Sequence, residues 1–279
     1  MAAKKAGATR LVLRFSNTLS GDLKKRSLTR PLKIAMMRRL VKRVSALIAV
    51  SGDVAGDVAK NLKIGREQLH VLPNPVIDTN VNTSAGRNPD HPWLRHGQAP
   101  VVLGVGRLHA QKDFATLIKA FARLCNKQDA RLIIYGEGDE RSNLQYIASE
   151  SGHSEVIDLP GHHPCPWREM RHADLLVLSS RWEGMPGVLI EAMAAGCPVI
   201  STDCPGGSRE ILQDGALGPL VPVGDSQAMA EAMLTMLDSP VDRQALQAAA
   251  SRYAVQEAAR AYLALFERTV GSNKHNNQP

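Results

Sequence analysis

The chain has 279 residues, 44% hydrophobic and 22% charged, with a formal net charge of +7. Such a length and composition can bury at least one full core, and no stretch approaches the roughly 20 apolar residues of a membrane span. With only four Phe, four Tyr and three Trp, and no aromatic interleaving for base stacking, nucleic acid is a poor candidate partner. Cys125, Cys165, Cys197 and Cys204 form no Cys-x-x-Cys pair, so they read as reduced thiols of a cytoplasmic protein.

In chain order, the basic start at Met1 is followed by no apolar core of a signal peptide. Residues 11–15, 46–50 and 69–72 read as strands. Charge concentrates between the first two, where residues 23–43 carry nine Lys or Arg and no acid. After Pro31, apolar Leu32, Ile34, Met36, Met37, Leu40, Val41, Val44 and Leu47 interleave with Lys33, Arg38, Arg39, Lys42 and Arg43, predicting a basic amphipathic helix. Such a helix either packs its apolar stripe and solvates its charges, or lies on an anionic membrane. Residues 24–43 are therefore a candidate peripheral membrane contact.

From residue 100 to about 224 strands and helices alternate. Strands are expected near 101–106, 131–135, 155–159, 174–178 and 198–201, and helices near 113–126, 139–150, 164–172, 187–195 and 207–212. That is one complete Rossmann-like unit with a parallel sheet. Helices over 226–237 and 241–269 follow, then a polar tail, 271–279, expected to be disordered. His162 and His163 with Cys165 hint at zinc, but Pro164, Pro166 and the lack of a second ligand pair argue for no metal.

The richest segment runs from Glu183 through Gly184, Met185, Pro186, Gly187, Val188, Leu189 and Ile190 to Glu191. Pro186 suits only a first helical turn, Gly187 admits a ligand to the backbone, and Gly196 reads as the helix stop. Glu183 therefore lies in the loop ahead of a helix and Glu191 about one turn inside it. Alone, they read as a cap and a solvated face. In a strand–loop–helix unit, however, the helix start attracts an anion while the carboxylates accept from hydroxyls, one from a sugar and one from ribose. Arg107 and Lys112, after a strand, would supply the cations, and no Asp-x-Asp occurs for a divalent ion.

These segments, with Pro73-Asn74-Pro75-Val76, the run from Gly104 to Asp113, Gly136-Glu137-Gly138, Pro160-Gly161 and Pro205-Gly206-Gly207, occur in an order that resembles the retaining group 1 glycosyltransferases. The resemblance covers roughly residues 51–225. It implies an α/β fold of GT-B type with a complete Rossmann-like C-terminal donor domain (76–255), part of an N-terminal acceptor domain with the hinge (1–75), and a C-terminal crossover helix (256–270). It implies Arg107, Lys112 and Glu183 as catalytic residues. Gly106, Gly136, Gly138, His162, Gly184, Met185, Pro186, Gly187, Val188 and Glu191 would line the donor site, with Gly161 beside them.

The expected function is transfer of a sugar from a nucleotide sugar, a UDP-sugar, to a saccharide or lipid-linked acceptor with retention, as in cell-surface polysaccharide biosynthesis. The nucleotide sugar is a substrate, and no cofactor is implied. The setting would be cytoplasmic, at the inner face of the plasma membrane. Ser16 stands where several relatives place a histidine near the sugar, and the family's opening strands and glycine-rich loop have no counterpart here. This leaves a non-catalytic nucleotide-sugar-binding fragment as the alternative, to which roughly 80 to 120 upstream residues would restore transfer. A GT-B epimerase or phosphorylase is the other rival.

Overall fold

A computed structural model describes residues 10–23, 29–78, 88–95 and 99–271. The opening residues, positions 24–28 of the candidate membrane segment and the tail beyond Gly271 lie outside them.

The strands form two parallel sheets. The first joins β1 (Val12–Phe15), β2 (Ala46–Ala49) and β3 (Leu69–Val71) in the order 1-2-3. The second joins β4 (Val101–Val105), β5 (Arg131–Tyr135), β6 (Ile157–Gly161), β7 (Leu175–Leu178), β8 (Val199–Thr202) and β9 (Leu220–Val221) in the order 6-5-4-7-8-9. The strand order reverses between β4 and β7, the place where an open α/β sheet has its ligand crevice.

Continuous apolar runs form these strands because both faces are covered. Val102, Leu132, Leu175 and Val177 enter one core with Leu117, Phe121 and Leu124 of the helix Phe114–Cys125 and Met229 and Met233 of the helix Ser226–Asp238. Leu103, Ile133, Leu176 and Leu178 point the other way, into a core with Leu189, Ile190 and Met193 of the helix Gly187–Ala194. This second core continues into Leu47, Ala49, Val54 and Val58, so it joins the two sheets.

Several features differ from the expected elements. A helix at Gly52–Leu62 was not foreseen, although Ser51 caps it by accepting the Val54 N–H and its buried residues Val54, Ala55, Val58 and Leu62 keep helical spacing. The two-residue strand Leu220–Val221 was also not foreseen. The expected helix over 241–269 divides into Arg243–Ala250 and Val255–Gly271, with a 3-10 turn at Ser251–Tyr253. Between them the chain instead pairs with the hinge: the Tyr253 carbonyl accepts from the Val76 and Ile77 N–H groups, both at 3.1 Å, and Val255 N donates to Ile77 O. The last helix then packs on the first sheet, burying Leu265 with Ala46 and Ile48. Finally, the basic helix at Arg30–Val41 is not one-sided. Ile34, Met37 and Val41 pack inward, whereas Leu32 and Met36 are 64% and 65% exposed.

Candidate functional site

The loops after β4, β5, β6 and β7 meet beside the reversal of strand order. Gly136 holds φ +153°, and a Cβ there would lie 1.8 Å from the Gly106 carbonyl oxygen, so only glycine lets the first two loops touch. Gly138 makes the same close approach to Leu108, whose N–H donates to Glu137 O at 2.8 Å. The residue 106–113 loop is thereby held over the end of β5. A side chain at Gly106 would press on the Lys112 methylenes.

Lys112 turns inward. Its Nζ lies 2.6 Å from Glu183 Oε1, and Ser180 Oγ donates to the same oxygen at 2.6 Å. The two charged side chains are 19% and 8% exposed. Ser179 Oγ donates to Lys112 O, and Glu183 N donates to Pro205 O, so both backbones are anchored. Arg107 behaves differently: it is exposed and has no hydrogen-bond or ion-pair partner among the described residues.

After Glu183 the chain runs against the first sheet. A Cβ on Gly184 would sit 1.9 Å from Ser16 O, while Gly184 O accepts from Ser51 Oγ at 3.0 Å and from Gly207 N at 2.8 Å. Met185 and Pro186 are buried, and Met185 Sδ accepts from Asn74 N at 3.3 Å. The helix then begins at Gly187 with no side chain capping it and no acid in its first turn. Its first N–H groups and the positive end of its dipole are thus available to an anion. Val188 is half-buried in that first turn.

Glu191 is the fifth residue of this helix. It opens into a cleft of about 790 Å³ shared with Arg14, Asn74, Val76 and Tyr262. Arg14 spans this wall, donating from Nε to Tyr262 OH at 3.0 Å and from Nη2 to Asn74 Oδ1. Burial raises the Glu191 carboxyl above the ordinary range. Lys112 and Glu183 do not line this cleft, so the two glutamates do not share it.

Gly161, with φ +100°, ends β6, and His162 after it is exposed. His163 turns inward, with Nε2 3.1 Å from Asp90 Oδ2 and Nδ1 accepting from Cys165 N at 3.1 Å. Fully buried Glu169 accepts from the backbone of Asp90 and His91 and from Tyr135 OH. Among the described residues, Asp90, His163 and Glu169 are the group close enough to share a metal ion. The bond to Nδ1 leaves the His163 proton on Nε2, where it serves Asp90, so the group reads as a satisfied polar latch. Cys125, Cys197 and Cys204 are pushed by burial to about 11, 12 and 11, which removes them as thiolate nucleophiles at neutral pH.

Sequence reasoning located Lys112 and Glu183 but not their bond, and it gave no site role to Ser51, Ser180 or Arg14, while Asn74 entered only as part of the Pro73–Val76 motif. Ser51 carried a signal as the cap before Val54. The others showed no local sign of the roles described here, which arise only from contacts between distant segments.

A parallel α/β sheet with glycine-shaped loops, cations and an open helix start at its switch point belongs to the nucleotide-binding class of folds. Within that class the chain belongs to the glycosyl transferases group 1, whose family model matches residues 90–253. It is 29% identical over 245 residues, 88% of this chain and 65% of the relative, to the Campylobacter jejuni N-acetylgalactosamine-N,N'-diacetylbacillosaminyl-diphospho-undecaprenol 4-alpha-N-acetylgalactosaminyltransferase. It is 36% identical over 135 residues, 48% of this chain and 38% of the relative, to a lipopolysaccharide core biosynthesis glycosyltransferase of Rhizobium meliloti. The chain spans 28% to 65% of the length of the first three curated relatives it matches. The solved Anabaena Alr3699/HepE in complex with UDP and glucose superposes with a TM-score of 0.81 at 23% identity, over 96% of this chain and 74% of that one. The fold is thus that of the GT-B glycosyltransferases.

Proposed function

We propose that the chain acts as a glycosyltransferase that takes a sugar from a uridine diphosphate donor and delivers it, with retention, to a saccharide or lipid-linked acceptor. The observation that carries this is the junction of the Lys112–Glu183–Ser180 cluster with the uncapped helix start at Gly187, beside the unpaired Arg107. Breaking a sugar–phosphate bond builds negative charge on the departing diphosphate. Arg107, Lys112 and the N–H groups of the Gly187–Ala194 helix can receive that charge. Glu183 would accept from sugar hydroxyls and Glu191 from ribose, while Gly136, Gly138 and His162 line the nucleotide side.

Glu183 is engaged by Lys112 and Ser180 rather than held free as a nucleophile, which supports a route in which the leaving phosphate takes the acceptor proton on the same face. Two relatives support the substrate class: the Campylobacter jejuni enzyme is named for a diphospho-undecaprenol acceptor, and Anabaena HepE was solved with UDP. Among the described residues no helix is long and apolar enough to cross a membrane. Membrane contact would instead be peripheral, through exposed Leu32 and Met36, which stand among Lys33, Arg39 and Arg43 beside an apolar groove of about 470 Å³. The setting would be the cytoplasmic face.

Calorimetry tests the site. UDP should bind more tightly than UMP, and Arg107→Ala should weaken UDP by roughly ten- to a hundredfold, because a charge-assisted bond contributes about 1.5–3 kcal/mol. Equal affinity for UDP and UMP, unchanged in Arg107→Ala, would remove the phosphate site.

A further inference from the structure

We propose that a second cleft, of about 390 Å³, bordered by the 109–113 loop, is a saccharide-binding subsite that holds acceptor sugars beyond the one being modified. This rests on the glycosyltransferase reading above. The polar lining is His109, Asp113, Glu140, Asn143 and Arg181, with Trp182 beside them over a floor of Phe114 and Leu144.

The lining selects the ligand class. Sugar rings present hydroxyls that donate to carboxylates and accept from amide and guanidinium N–H groups, and their C–H faces pack on aromatic rings. All of these groups are present, and the volume is that of a small-molecule site. Two carboxylates against one guanidinium disfavour a phosphate or other anion, whereas a neutral polyol meets no such penalty.

The walls are also held in place. Arg181 Nε lies 3.1 Å from Asp113 Oδ2, and Asn143 Nδ2 donates to Glu140 Oε2 at 2.9 Å. Across the neighbouring loops, Arg181 N donates to Gln111 O and Gln111 Nε2 donates to Trp182 O, both at 2.8 Å. Asp113 occupies the left-handed region at φ +48°, a conformation unusual for a residue with a side chain. It stands between Lys112, which reaches Glu183, and Phe114, which forms the floor. Asp113 follows Lys112 directly and Trp182 precedes Glu183 directly, and neighbouring Cα atoms are about 3.8 Å apart. The two backbone segments that carry the Lys112–Glu183 pair therefore also border this cleft, which places it next to the candidate transfer centre along both loops.

The test uses backbone and indole N–H resonances of the full chain, titrated with UDP and, separately, with chitotriose and maltotriose to about 10 mM. At least one trisaccharide should shift the Trp182 indole and the residue 109–113 amides. Asn143→Leu and Glu140→Gln should each weaken that binding at least fivefold while leaving UDP affinity unchanged. If UDP binds and neither trisaccharide shifts these resonances, the subsite is wrong and the donor reading stands. Shifts that persist undiminished in both variants overturn it equally. Trisaccharide binding that responds to the variants while UDP fails to bind would support the subsite and overturn the donor reading.

Discussion

Lys112 and Glu183 stand 71 positions apart in the chain, yet their charged groups meet at 2.6 Å, with Ser180 donating to the same carboxylate oxygen. The loop after β4 is thereby bound to the loop after β7 by one largely buried ion pair. Breaking such a pair from one side leaves a desolvated charge without its partner, whereas removing both sides leaves none.

Lys112→Met and Glu183→Gln should each lower unfolding free energy by about 1–3 kcal/mol, and the double variant by clearly less than the sum of the two. Urea unfolding of the four proteins checks this. Additive losses would mean the pair is not energetically coupled.

For Glu191 the pH dependence has a defined sign. Burial raises its carboxyl pKa in the fold, so the neutral form is favoured there. The associated stability is fully present below the unfolded value of about 4.3 and is lost as the pH rises through the raised folded value. Glu191→Gln should therefore melt above the parent at pH 7, with the gap closing towards pH 4, while its nucleotide affinity falls. A variant that melts below the parent at pH 7 would contradict the burial argument.

Two glycines of the site should part company. At Gly136 an added methyl would strike the Gly106 carbonyl at 1.8 Å, so Gly136→Ala should cost 2 kcal/mol or more, at the upper end of the roughly 0.5–3 kcal/mol typical of point mutations. At Gly187 the nearest atom to such a methyl is Val76 Cγ1 at 3.8 Å, and alanine is the better helix former by about 0.8–1.0 kcal/mol. Gly187→Ala should then keep or raise the melting temperature while weakening nucleotide-sugar binding through obstruction of the ligand. Parallel melting and binding curves separate the two, and unaltered binding in Gly187→Ala would take the ligand away from this backbone.

The basic helix makes a separate prediction. Vesicles containing phosphatidylserine should retain the protein at low salt and release it as salt rises, since each cation near the surface contributes about 1 kcal/mol within a Debye length. Leu32→Ser with Met36→Ser should reduce retention severalfold with no loss of melting temperature, because both side chains are exposed. Equal retention on neutral and anionic vesicles, or none on either, would oppose docking driven by the basic helix.

Five of the six strands of the large sheet were legible because burial on both faces leaves an unbroken apolar run, as in Leu175 to Leu178, whereas the two-residue Leu220–Val221 is too short to show one. The helix Gly52–Leu62 was harder to read, with Gly52 and Gly56 inside it lowering local propensity, so its formation depends on tertiary burial of Val54 and Val58. At the site, residue types exposed Lys112, Glu183 and Glu191 one at a time. Nothing local showed that Lys112 would be spent on Glu183, or that Arg14, Asn74 and Tyr262, from three separate segments, would wall off Glu191. Pairings of this kind depend on the topology, which local periodicity does not encode.

The docking of the last helix on the first sheet has a consequence for how the protein is made. Arg14 and Tyr262 are bonded across 248 positions, and the sheet face carrying Ala46 and Ile48 is covered by Leu265 from the same helix. At about 5–20 residues per second, a ribosome delivers that cover some 10 to 50 seconds after the strands it protects. During that interval the nascent chain presents an uncovered apolar surface open to a chaperone or to another nascent chain.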